Sequence, residues 1–155
     1  MSLWHWLKGL LTGTPHVRIH NGEYLDRWHL IPRNPLFNIY LHKFIASDPG
    51  RDLHDHPWWN VSFLIKGSYF EKTQRGVYRI FRWDFVFRKA TDCHAIELMP
   101  TVHGDPWDWR TTPYRPVWTI FITGPKTREW GFQTPGGWVA WRDYYRLNGL
   151  PLEED

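Results

Sequence analysis

The apolar residues of this chain come in short runs, and turns cut each run off before it reaches helical length. Residues 37–44 alternate, with Asn38, Tyr40, His42 and Phe44 on one face and Phe37, Ile39, Leu41 and Lys43 on the other. Ser47-Asp48-Pro49-Gly50 then makes a turn. Residues 68–73 pair with 77–83 as a hairpin across Gln74-Arg75-Gly76. Phe85-Val86-Phe87 reads as a short strand buried on both faces, and 94–98 alternates with His94, Ile96 and Leu98 on one side. Residues 117–123 form a buried strand stopped by Gly124-Pro125. A first strand is expected at 24–28, after a turn at Asn21-Gly22. Such a succession predicts an all-β sandwich or barrel, and pattern alone leaves both open.

His54 and His56 stand one residue apart at the mouth of an apolar run that Gly67 closes. On a strand, residues i and i+2 share a face with Cα atoms roughly 6.6 Å apart. Two imidazoles so placed can tip onto one ion, and neutral imidazole is a common ligand for Zn, Fe, Ni and Cu. Asn60, on a strand continuing from His56, is expected to point the same way.

Gly50-x3-His54-x-His56-x3-Asn60-x6-Gly67 resembles the first motif of the cupin superfamily, Gly-x5-His-x-His-x3or4-Glu-x6-Gly. The opening Gly is two residues closer, and Asn60 stands where the family has an anionic Glu. Residues 83–94 resemble the second motif, Gly-Asp-(apolar run)-Pro-x-Gly-x-x-His. Asp84 and His94 match it, whereas Trp83, Lys89 and Thr91 replace the Gly, Pro and Gly. The resemblance covers roughly residues 38–123. It implies a double-stranded β-helix, the cupin jelly-roll barrel, with a short N-terminal helix. The expected layout is a single cupin domain over 1–155, with the helix in 1–13, the barrel core in 37–123 and an aromatic-rich C-terminal segment in 124–155. The chain is also similar to small single-domain cupin-like proteins of bacteria and their phages.

The resemblance implies that His54, His56 and His94 are three ligands of one divalent metal ion. Fe(II) is favoured, with Zn, Ni, Mn or Cu as alternatives. It implies a metal-binding cupin and, as the sharper reading, a mononuclear non-haem Fe(II) oxygenase of a small polar substrate. Cysteine dioxygenases, a cupin branch, likewise use three histidines and lack the Glu. Two other readings stand beside it. One is a non-catalytic cupin that binds a sugar-like small molecule. The other is a metal-free sugar-nucleotide isomerase or epimerase, which needs a His–Asp pair and a Tyr acid that the sequence does not single out.

Asn60 reads as a weak ligand, as a donor to water or substrate at the metal, or as a polar core residue. Asp55 alternates away from its neighbours, either to support a ligand or, in the favoured reading, to face solvent. His42 reads as a core or rim histidine before a fourth ligand, and His103 reaches the site only if the long loop 101–115 folds over it. Tyr40, Arg88 and Trp58 are candidate substrate-pocket residues. Arg27, Arg88, Arg128 and Glu97 could line a pocket for an anion, against the commoner fate of surface salt links. Cys93 reads as a buried, inert thiol.

With 155 residues the chain is long enough for one core. Its 19 Lys and Arg against 16 Asp and Glu include no basic run that argues for nucleic acid. One cysteine excludes an internal disulfide and suits a reducing, cytoplasmic compartment. No apolar run reaches membrane-spanning length. The 12 Trp, 7 Tyr and 9 Phe suggest a bulky core, an aromatic-lined pocket or a subunit interface, and a homodimer is expected. Leu3, Trp6, Leu7, Leu10 and Leu11 recur at helical spacing behind Ser2, as an amphipathic helix covering one end of the barrel. The basic start and small-residue cleavage site of a secretory signal are not seen there.

Overall fold

The computed structural model describes residues 2–48, 52–100 and 114–150. In chain order the elements are α1 (Leu3–Thr12), β1 (Val17–Ile19), β2 (Leu25–His29), β3 (Asn38–Phe44), β4 (Leu53–His54), β5 (Asn60–Lys66), β6 (Tyr69–Thr73), β7 (Gly76–Ile80), β8 (Phe85–Arg88), β9 (His94–Leu98), β10 (Val117–Thr123), β11 (Gly131–Thr134), β12 (Gly137–Ala140) and α2 (Trp141–Leu147). The strands form two 6-stranded sheets, ordered β1-β2-β3-β10-β5-β8 and β12-β11-β4-β9-β6-β7. Every strand pairing is antiparallel, which gives the expected jelly roll.

Alternation decides what fills the interior. β3 turns Tyr40, His42 and Phe44 inward, β10 turns Val117, Thr119, Phe121 and Thr123 inward, and β5 does the same with Asn60, Ser62 and Leu64. One end of the interior is apolar, built from Leu25, Phe44, Leu64, Tyr69, Ile96, Leu98 and Val117. Each fully buried aliphatic side chain there contributes about 1.5–3 kcal/mol. The other end is polar, with His42, Asn60, Ser62, Glu71, Arg88 and His94 all buried. Gly67 holds the β5–β6 corner at φ 89°, and a Cβ there would sit 2.9 Å from Val117 Cγ2.

Several expectations are corrected. Phe85 and Phe87 are 71% and 61% exposed, because β8 is an edge strand and both point outward. Within residues 131–147 the aromatic-rich segment is regular: β11, β12 and α2 extend the second sheet and cover it. β1 and β2 likewise belong to the first sheet, ahead of the expected barrel start at 37. α1 carries the expected Ser2 cap and ends at a left-handed Gly13. It docks on β2 through Trp6, which donates to the His29 carbonyl at 2.8 Å, while Leu3, Leu7 and Leu11 stay exposed. Gly50, His103 and most of the loop 101–115 lie outside the described residues.

Candidate metal centre

β4 and β9 pair so that His54 lies directly across from His94. His56 reaches the same point by a different route from the one the spacing suggests. β4 ends at His54, and β5, which begins at Asn60, lies in the other sheet. The chain crosses between sheets over residues 55–59, so His56 sits on a corner and Asn60 is not on its strand.

Asp55 makes that corner. It is 1% exposed rather than facing solvent. Its carboxylate accepts hydrogen bonds from the Gly131 amide at 2.7 Å and Trp138 Nε1 at 2.9 Å, and from Arg128 Nη1. These bonds tie the crossing to β11 and β12 and leave His54 and His56 on the inner side. Two backbone bonds continue the fixation, Asp55 N–H to Gly131 O at 3.0 Å and His56 N–H to Ala90 O at 3.3 Å.

The three imidazoles meet there. One ring nitrogen from each of His54, His56 and His94 lies within 4.8 Å of the others. His56 Nε2 and His94 Nε2 are 2.9 Å apart. Trp58 stacks on the His56 ring at 4.8 Å and 12°, and Phe121 packs edge-on against Trp58 at 5.6 Å. Burial holds the His56 and His94 pKa values well below the usual imidazole range. His54, His94 and Arg88 add to the depression at His56, and Arg88 and His54 add to it at His94. Both rings are therefore neutral at pH 7, the form that ligates metals.

Behind His94 lies a polar group that the sequence reading did not single out. Glu71, on β6, is 4% exposed. Its Oε1 lies 2.7 Å from His94 Nδ1, off the line of an ideal hydrogen bond, and 2.5 Å from Arg88 Nε. A carboxylate at Nδ1 keeps the proton there and turns the Nε2 lone pair toward His56. Its signal was the alternation of β6, which puts Glu71 on the same inward face as Tyr69. Asp48 Oδ2 stands 3.7 Å from His54 Nδ1, beyond hydrogen-bond reach, and accepts from the Ile96 amide at 2.6 Å.

The remaining candidates are placed as follows. Arg88 is buried and gives its donors to Glu71, Asn60 Oδ1 at 3.2 Å, Ser62 Oγ at 3.0 Å and Tyr69 Oη at 3.4 Å, so it braces the barrel rather than lining a pocket. Asn60 is fully buried against Arg88, and its Nδ2 has no partner. His42 stays on β3, stacked on Phe121 at 4.9 Å and accepting from Arg27 Nε at 3.0 Å. Tyr40 stacks beside it at 5.6 Å. Arg128 is held by Asp55, and Glu97 pairs with Lys72 at 2.6 Å on the surface. Cys93 is buried, and burial raises its thiol pKa.

No protein-family model and no curated protein matches the sequence. Solved structures do match the fold. DMSP lyase DddQ of Ruegeria pomeroyi aligns at TM-score 0.53 and 16% identity, over 81% of this chain and 59% of its own. A mannose-6-phosphate isomerase-like protein of Ralstonia eutropha aligns at TM-score 0.50 and 12% identity, over 65% and 84%. A cupin superfamily protein of Desulfitobacterium hafniense aligns at 0.47 and 11%, over 65% and 77%. The chain has a cupin fold. At these identities the likeness reaches the fold alone. Within this cupin barrel, the histidine cluster can bind a metal ion. No helix of the described residues is long and apolar enough to cross a membrane.

Proposed function

We propose that this protein is a mononuclear metal enzyme whose ligands are His54, His56 and His94, with Fe(II) the favoured ion and a small polar molecule the substrate. The observation that carries the reading is the meeting of three imidazoles with a buried carboxylate behind one of them. One pair of the donor set has a spacing that suits a shared ion. Two nitrogens about 2.0–2.1 Å from one metal, at a right angle, lie about 2.9 Å apart. His56 Nε2 and His94 Nε2 have that separation already.

A bound Fe(II) would supply Lewis acidity and one-electron chemistry toward dioxygen. The chain's own residues do the rest. Glu71 keeps the proton on His94 Nδ1, and the stacked Trp58 ring fixes the plane of His56. Trp58 and Phe121 also keep water off one side of the cluster.

The metal-free isomerase reading is less well supported. Its His–Asp pair exists as His54 and Asp48, but the nearby tyrosine, Tyr24, donates its hydroxyl to Asp48. Burial raises the Tyr24 pKa further, so it is not a free acid at the cavity.

The test is elemental analysis after reconstitution with Fe(II), Mn(II), Ni(II) and Zn(II), followed by an oxygen-electrode screen with Fe(II) and ascorbate. A wild type that holds no more metal than its alanine variants would end the proposal. A homodimer belongs to the same proposal, through the outer face of β5 and β8, where exposed Phe85 stacks on half-buried Phe63 at 4.3 Å.

A further inference from the structure

A second polar site lies on the inner face of β2 and β3. Register sets Arg27 opposite His42 and His29 opposite Tyr40, so alternation sends all four side chains to one face. Arg27, His29 and Tyr40, with Val17 and Arg33, line a cavity of about 30 Å³. His29 is 3% exposed, and its Nδ1 is buried without a hydrogen-bond partner. Arg27 gives Nε to His42 at 3.0 Å and lies over the Tyr40 ring at 5.0 Å. Arg33 stands exposed at the rim.

Two guanidinium groups at one small cavity call for a counter-charge, and the described residues supply none. The adjacent acid, Asp26, alternates to the other face and pairs with Arg18 at 3.7 Å. Among the described residues no carboxylate pairs with Arg27 or Arg33. The unbalanced field is felt at His29, whose pKa falls to about 4 through burial first and then Arg27 and Arg33.

We propose that this cavity binds the carboxylate of a small organic acid. The small volume, against about 10–15 Å³ for one water, favours a small anionic group. Arg27 has both terminal nitrogens left for a planar, two-point contact. The packed rings of His42 and Phe121 separate this cavity from His56, so carboxylate binding at Arg27 and Arg33 stands apart from the metal reading.

The experiment therefore uses the full chain stripped of metal with EDTA. Acetate and propanoate are titrated in, with acetamide as the neutral control and inorganic phosphate as the larger anion. NMR follows the arginine Nε–H signals and the β2 and β3 amides. Saturable shifts at Arg27 and Arg33 are expected with both acids, none with acetamide, and weaker binding with phosphate. R27Q and R33Q should each weaken acetate binding by about tenfold, the value of one charge-assisted bond. R33Q changes an exposed residue, so its melting temperature should match wild type and its binding result stands even where R27Q folds poorly. Unchanged acetate binding in R33Q, equal shifts with acetamide, or tighter phosphate than acetate overturns the site. None of these outcomes touches the histidine cluster, whose metal content is measured separately.

Discussion

Glu71→Gln removes one negative charge and keeps the shape of the side chain. In the wild type that charge lies 2.5 Å from Arg88 and 2.7 Å from His94, with all three side chains at most 5% exposed. Two unit charges about 4 Å apart interact by about 4 kcal/mol at an effective dielectric of 20. Breaking one side of a buried pair costs about 3–5 kcal/mol, since the surviving charge has lost its counter-ion. The amide still accepts from Arg88, so the lower end applies, about 3 kcal/mol in urea unfolding. Glu71→Gln with Arg88→Met removes both charges but leaves Asn60 Oδ1, Ser62 Oγ and Tyr69 Oη without their donor, so it should not recover that loss. Metal affinity should fall about 10–100-fold in Glu71→Gln, because His94 loses the group that fixes its proton. The double variant should not recover this second loss, since Arg88→Met returns no carboxylate to Nδ1. A stability loss under about 1 kcal/mol, or metal affinity equal to wild type, would refute the account of Glu71 as counter-ion and brace.

His54→Ala, His56→Ala and His94→Ala should each abolish metal loading by elemental analysis, whereas His42→Ala should keep most of it; equal loading in all four variants would sink the ligand set. The metal-free protein should lose stability on acidification. His29 has a folded pKa of about 4 against 6.5 unfolded, so its neutral form favours folding above pH 6.5, and the advantage is lost between pH 6.5 and 4. That is at most about 3 kcal/mol, and the buried His42, His56 and His94 act in the same direction. A urea midpoint that is flat from pH 7 to 4 would contradict it. Phe85→Ser with Phe87→Ser should convert the proposed dimer to monomer in light scattering at unchanged melting temperature; a wild type that is monomeric at high concentration removes the interface.

How much of this was legible in the sequence depended on what each residue had to oppose. The inward face of β3 was readable because Tyr40, His42 and Phe44 alternate with an outward Lys43. The orientation of β10 was not, since Trp118, Ile120 and Ile122 are as apolar as its inward residues, yet the interior takes Thr119 and Thr123. The same ambiguity misplaced Phe85 and Phe87, whose apolar character belongs to an open outer face. Motif order put His94 beside His54, and register pairs them. The crossing at Asp55 was hidden because its partners, Gly131 and Trp138, lie 76 and 83 residues away. Trp83 stands where the second motif has Gly and still takes φ 79°, so the backbone of that turn outlasts the loss of the residue that favours it.

Charge ties the two proposed sites together. In the first motif Asn60 replaces the Glu of the family pattern, and in the fold its oxygen faces Arg88. The carboxylates near the cluster are instead Glu71 and Asp48, each behind a histidine, and Glu71 is already shared with Arg88. Among the described residues, three neutral ligands around the proposed divalent ion, with two carboxylates and one guanidinium behind them, sum to a net positive charge. Arg27, with no acidic partner among the described residues, adds to that charge. Burying net charge is costly unless a counter-ion comes with it. A neutral substrate would leave the positive field in place, whereas a carboxylate lowers it at either site. Metal and acid should therefore bind cooperatively: loading with Zn(II), which has no redox chemistry of its own, should tighten propanoate binding, and propanoate should tighten Zn(II) by the same factor. Reciprocal titrations that show no coupling would separate the two sites and leave the arginine cavity without a part in the chemistry.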